Sequence, residues 1–173
     1  YFPLKLISTE MPIGIKYKAG VSAQLKSAVI LAALNSYGVS EILEEERSRN
    51  HTETMLAGNT DAIKLIKGKK KIIKVYGKKQ LSPINITVPG DASSSAFFAA
   101  LTLLNQDSTL KMRNVGLNPT RIGFYDLLKK QKAKIKFLNV KKRNNELFGD
   151  ILVKNCKLKP IKADKSFYVK ATD

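Results

Sequence analysis

Two nearly chargeless segments set 70 residues apart, SAQLKSAVILAALNSY at 22–37 and ASSSAFFAALTLLNQ at 92–106, constrain this chain more than any other feature. The first carries one charge, Lys26, and the second none. A helix that faces water needs a polar stripe, so both are predicted to be helices buried nearly all round. Overlaying the chain on itself at the same offset puts Gly20 on Gly90, Leu31 on Leu101, Leu34 on Leu104 and Asn35 on Asn105. In each copy a glycine and a serine-containing turn lead into the helix.

The flanks repeat too. Ile15 and Tyr17 alternate with lysines before the first helix, and Ile84, Ile86 and Val88 alternate with polar residues before the second, which is strand periodicity. After the first helix the pattern predicts strands near 39–43, 62–66 and 71–76, with a short helix from His51 to Ala57 ended by Gly58. After the second it predicts strands near 109–113, 133–138 and 147–154, with a helix opened by Asn118 as N-cap and Pro119 in its first turn. The unit reads βαβαββ, twice. Pro89-Gly90 breaks the pattern between the copies. That places residues 1–88 in part of a first domain and 89–173 in part of a second, with the crossover near 88–91.

Composition narrows the function classes. The net charge of +17 raises the question of nucleic acid. The excess is spread, however, at +7 through Thr87 and +10 from Val88 onward, and 26 of the 31 basic residues are lysine. Lysine suits solvated surface better than bidentate recognition. The KGKKKIIKVYGKK stretch at 67–79 has the most local basic character, yet its Ile72, Ile73, Val75 and Tyr76 are needed for sheet packing, so a solvated hairpin is expected. Phe97-Phe98 and most other aromatics fall at core-like positions rather than between basic residues as stacking platforms. One cysteine, Cys156, excludes an internal disulfide, and one histidine, His51, leaves no His/Cys cluster for zinc. The longest uncharged run, 92–106, falls short of the roughly 20 residues of a membrane span. A soluble, cytoplasmic protein without membrane or nucleic-acid partners is expected. Its first residue, Tyr1, reads as a cut edge without a secretory signal.

Four motifs in register, SAQLKSAVILAAL, SRNHTETML, VPGDASSSAFF and VGLNPTRIGFYDLL, resemble the enolpyruvylshikimate-phosphate synthase family. The likeness runs from Lys16 to Ile135 and more loosely beyond. It implies an α/β fold of the enolpyruvyl-transferase type, an inside-out α/β barrel of repeated βαβαββ units with buried helices, of which about two of six are present in this chain. The implied reaction joins shikimate 3-phosphate to phosphoenolpyruvate and releases inorganic phosphate, with no metal or organic cofactor, in a protein that is a monomer at full length. The resemblance also places the catalytic groups outside these residues, so the chain alone is expected to be inactive.

Both implied substrates are anions, which gives meaning to a greasy helix that opens with a serine and an amide. A helix N-terminus carries unpaired N–H groups and the positive end of the dipole. Carried over position by position, the resemblance implies that Ser22, Ala23, Gln24 and Arg49 bind shikimate 3-phosphate and that Gln24 also reaches phosphoenolpyruvate. Ser22, Gln24 and Arg49 are then expected to converge on one anion site. Without the resemblance, Ser22 reads as a plain N-cap, Gln24 as an exposed first-turn residue and Arg49 as a surface ion pair with the Glu44–Glu46 run. Asp91 and the serines at 93–95 look like a phosphate loop, but capping explains them. The chain departs from the family's common SRDHTE in having Asn50. Two rival readings are a UDP-sugar enolpyruvyl transferase, whose motifs differ, and a basic nucleic-acid-binding module.

Overall fold

The computed structural model describes residues 3–5, 7–68, 70–160, 162, 163, 167 and 171. Lys69 of the lysine-rich stretch lies outside them. The chain divides into two compact units, residues 1–46 with 56–83, and residues 47–55 with 84–173. The division is discontinuous.

The first unit is built on a parallel crossover: β1 (Lys16–Ala19), α1 (Ala23–Leu34) and β2 (Val39–Glu44), with Lys16 beside Glu41 and Ala19 beside Glu44. Strands β3 (Ile63–Ile66) and β4 (Lys71–Tyr76) complete a mixed sheet of order β1-β2-β4-β3. The alternation of β2 turns Ser40, Ile42 and Glu44 inward, where Ile42 joins Ile73, Val75 and the α1 residues Ile30, Ala33 and Leu34 in the core. Gly77 is required by close approach, since a Cβ there would lie 1.8 Å from the carbonyl oxygen of Ser36. Three of the acids on and after β2 are bracketed by lysines: Glu41 by Lys16 and Lys74, Glu44 by Lys26 and Lys71, Glu45 by Lys18 and Lys70. Lys64 and Lys79 lie over the Tyr76 ring. Much of the lysine-rich stretch is thus engaged within its own unit. The helix α2 (His51–Ala57) forms over the predicted span, and its first five residues cluster with the second unit.

The second unit packs α3 (Ala92–Leu104) and α4 (Gly123–Lys130) on an antiparallel sheet of β5 (Thr109–Gly116), β6 (Ile135–Arg143) and β7 (Glu146–Lys154), in the order β5-β7-β6. Ala99, Leu103, Leu128, Ile151 and Val153 fill its core around Tyr125. The Tyr125 hydroxyl lies 2.6 Å from Ser95 Oγ, and burial pushes the phenol up to about 12. Asn144-Asn145 joins β6 to β7 with positive φ at both residues, the geometry a two-residue type I′ hairpin demands. Strands β5 and β6 each bulge opposite β7, between Met112 and Val115 and between Leu138 and Lys141. One carboxylate serves both bulges, since Asp150 accepts from Asn139 Nδ2 at 2.9 Å, from the Asn114 N–H at 3.1 Å and from Lys111 Nζ at 3.1 Å.

Those three donors, Asn139 foremost, hold the Asp150 carboxyl at about 2, below its ordinary 3.8. A depressed folded-state value means stability that is present above the unfolded pKa and lost as pH falls toward the folded one. Asp150→Ala is therefore expected to lower the midpoint of chemical unfolding at pH 7, and the gap from the parent should narrow between pH 4 and pH 2. Denaturant curves across that window check it. A gap that does not change with pH would show that the carboxylate charge is not what holds the bulges.

Three expectations are corrected. First, α1 and α3 are buried on one face only. Phe97 is 78% exposed, Phe98 60%, Leu101 66% and Leu104 75%, while Leu25 and Leu31 of α1 are also exposed. Each helix packs one stripe on its own sheet and leaves the opposite stripe largely exposed, so within these residues Phe97-Phe98 are not core positions. Second, no strand forms at 84–88. Only a parallel bridge between Gly90 and Val115 remains: Pro89 offers no N–H, and the register of β5 shifts between Met112 and Val115. Third, Asn118 does not cap α4, whose N-cap is Ile122 without a side-chain bond. Its Oδ1 accepts from the Thr120 N–H at 2.9 Å, which closes a separate turn ahead of the helix.

Candidate functional site

The N-terminus of α1 presents the first group of predicted residues. Ser22 is the N-cap, its Oγ accepting from the Leu25 N–H at 3.3 Å. Intrahelical bonding begins one residue later, with the Lys26 N–H on the Ser22 carbonyl at 3.2 Å, so the N–H groups of Ala23 and Gln24 belong to the unpaired first turn. The Gln24 side chain is exposed and lies 3.5 Å from Ser22 Oγ. A short cap, two N–H groups of the unpaired first turn and an exposed amide are a set of donors that suits an oxyanion.

The turn is anchored from below by an ion pair. Lys26 is on its inner side with a fully buried side chain, and Nζ lies 2.6 Å from Glu44 Oε1. Lys71 takes the other carboxylate oxygen at 2.9 Å. Burial pushes the Glu44 carboxyl up, but the two lysines outweigh it and leave the group below its usual range.

Arg49 lies in the second unit, in the irregular segment before α2, and is half-buried beside the buried Ser48. A polar network fixes the next residue. Asn118 Nδ2 donates to Asn50 Oδ1 at 2.9 Å and to Glu146 Oε2 at 2.9 Å, and Thr120 Oγ1 lies 3.1 Å from Asn50 Oδ1. His51 Nδ1 lies 3.1 Å from Glu146 Oε1. This cluster is not legible in the sequence, where Asn118 ahead of Pro119 reads as a helix cap. No local signal in the sequence marks it, because the start of α4 at Gly123, five residues past Asn118, is known only from the fold.

A groove of about 480 Å³ in the second unit runs beside the network, with Met55, Ile86, Val88 and Phe148 in its wall and His51, Arg121, Arg143 and Glu146 contributing polar groups. Asp91 stands at its edge as N-cap of α3, accepting from the Ser94 N–H at 2.8 Å and from Arg121 Nη2 at 2.9 Å. Burial raises its carboxyl, and the bonds from Ser94 and Arg121 more than reverse this, to about 2. Asp91 and Ser94 therefore act as a cap and clip within the protein. Among the described residues, no group of three His, Cys, Asp or Glu side chains is placed to hold a metal ion, and no helix is long and apolar enough to cross a membrane.

These features define an α/β protein with a helix terminus fit to receive an anion. The sequence profile of EPSP synthase (3-phosphoshikimate 1-carboxyvinyltransferase) matches residues 3–165, and the chain belongs to that family. It is 39% identical over 168 residues to the 3-phosphoshikimate 1-carboxyvinyltransferase of Petrotoga mobilis, covering 93% of this chain and 37% of that protein. It is 40% identical over 157 residues to the enzyme of the same name from Enterococcus faecalis, covering 90% of this chain and 36% of the relative. The EPSP synthase structure from Acinetobacter baumannii superposes with a TM-score of 0.78 at 33% identity, over 92% of this chain and 36% of that one. The chain thus spans a little over a third of the length of these relatives.

Proposed function

We propose that this chain is part of a longer enzyme that transfers the enolpyruvyl group of phosphoenolpyruvate to shikimate 3-phosphate and releases inorganic phosphate. Membership of the family supports the reaction, and the donor set at the start of α1 is the observation that carries the assignment to these residues. Ser22, Ala23 and Gln24 bind shikimate 3-phosphate through a hydroxyl, a backbone N–H and an amide. Arg49 adds a guanidinium, and Gln24 also meets phosphoenolpyruvate. The groups that move protons at the reacting atoms are supplied by the rest of the protein.

The same reading extends to architecture. The chain crosses between two domains near residues 88–91, and two of about six βαβαββ repeats are present in 1–173. The exposed apolar stripes of α1 and α3 are covered by the remaining repeats, which makes both helices internal to an inside-out barrel.

In the full-length protein, Arg49→Ala is expected to weaken shikimate 3-phosphate binding by about 1.5 to 3 kcal/mol, the scale of a hydrogen bond to a charged group. Ser22→Ala should cost less, since backbone N–H donors remain. Gln24→Ala should lower turnover as well as affinity, because an amide that meets both substrates aligns them. Calorimetric titration and steady-state rates of the three variants check the ordering. Parent-like binding by Arg49→Ala would remove Arg49 from the site.

A further inference from the structure

We propose that Asn118 is a positioning residue for Arg49, acting through the amide of Asn50. The inference rests on the reading of Arg49 as a ligand for shikimate 3-phosphate and adds the device that fixes its place.

Residues 47–55 cluster with the second unit although the chain on both sides of them belongs to the first. The stretch Ser48–Asn50 has no helix or strand to fix its backbone, so side-chain bonds must contribute. Asn118 supplies an over-determined one. It is 5% exposed. Its Oδ1 accepts from the Thr120 N–H at 2.9 Å, which rules out a flipped amide, because a flip would set two donors against each other. Both Nδ2 hydrogens then have acceptors, one on Asn50 and one on the Glu146 carboxylate. A bond to a carboxylate is stronger than a neutral one and anchors Asn118 to the start of β7. Asn50 is fixed from its other side as well, because its carbonyl accepts from the Thr54 N–H at 3.0 Å in the first turn of α2. Asn50 is thus held at both its backbone and its side chain, and Arg49 is the residue immediately before it. The reach of a guanidinium depends on where its Cα starts, so fixing Asn50 fixes the origin of Arg49.

An arginine that binds substrate and transition state alike contributes to affinity and not to turnover. In the full-length protein, Asn118→Ala is therefore expected to raise the KM and Kd for shikimate 3-phosphate by about 3- to 10-fold, with kcat and the KM for phosphoenolpyruvate within about twofold of the parent. The double variant with Arg49→Ala should bind no more weakly than Arg49→Ala alone, since residues acting through one contact are non-additive. Asn50→Ala removes the acceptor while leaving Asn118 on Glu146, and should reproduce the loss. Asn50→Asp keeps two acceptor oxygens and should restore parent affinity within about twofold. Parent-like binding by folded Asn118→Ala, or by Asn50→Ala where Asn118→Ala does not fold, alongside weakened Arg49→Ala would overturn the proposal. A fall in kcat equal to the loss of affinity, or losses that multiply in the double variant, would do the same and leave Asn118 with a purely structural role. If Arg49→Ala itself binds like the parent, the site reading fails first, and this inference with it.

Discussion

Lys26→Ala is expected to cost the 173-residue chain about 3 kcal/mol of folding stability, a large share of the 5–15 kcal/mol typical of a domain. The Lys26 side chain is fully buried and lies against a carboxylate that is 2% exposed. Removing one member of such a pair strands the other in a poorly solvated place, which costs about 3 to 5 kcal/mol. The lower end applies because Lys71 remains on Glu44. The charge pair itself is not what the fold depends on, because two apolar side chains of similar volume need no partner. Lys26→Met combined with Glu44→Leu should therefore recover most of the loss. Urea curves followed by circular dichroism measure both variants, since the chain has no tryptophan to report by fluorescence. A loss below about 1 kcal/mol for Lys26→Ala would mean that Glu44 finds water when its partner goes.

The same residue shows how far sequence alone reaches. Lys26, the one charge in the first greasy segment, looks like the position most certain to face water, and it is among the most buried side chains of the first unit. Periodicity reports that a residue breaks an apolar run; it does not report that Glu44, 18 positions on, turns inward at the end of an alternating strand to meet it. The local elements were legible because their signals are local. Alternation located β2 and β4, and Gly58 and the polar flank bounded α2. The strand expected at 84–88 failed for a non-local reason, since a strand needs an unbroken edge and the register of β5 shifts between Met112 and Val115. The site divides in the same way. Ser22 as a helix cap follows from its place before an apolar run. The bond from Asn118 to Asn50 spans 68 residues and appears only once a turn and a helix start are brought together.

Phe97→Ala is expected to have two different effects depending on how much protein surrounds it. In the 173-residue chain Phe97 is 78% exposed, so truncation removes few contacts and should change stability by no more than about 0.5 kcal/mol. In the full-length protein, where the proposed architecture covers this stripe of α3, the same change should leave a cavity and cost about 3 to 5 kcal/mol. Phe97 is well suited to the test because its neighbours on the stripe, Leu101 and Leu104, are exposed with it, which marks a continuous face rather than a stray side chain. A monomeric domain that left such a face in water would forgo roughly 25 cal/mol for each Å² of apolar surface, so the face is best explained by something that covers it. Ala99, on the opposite side of the same helix and fully buried, supplies the control: Ala99→Ser should destabilise both the short and the long protein, because its environment is set within the second unit. Unfolding curves for both substitutions in both proteins decide the matter. If Phe97→Ala is as mild at full length as in the short chain, α3 keeps that face exposed in the whole protein and the proposed inside-out arrangement is wrong for this repeat.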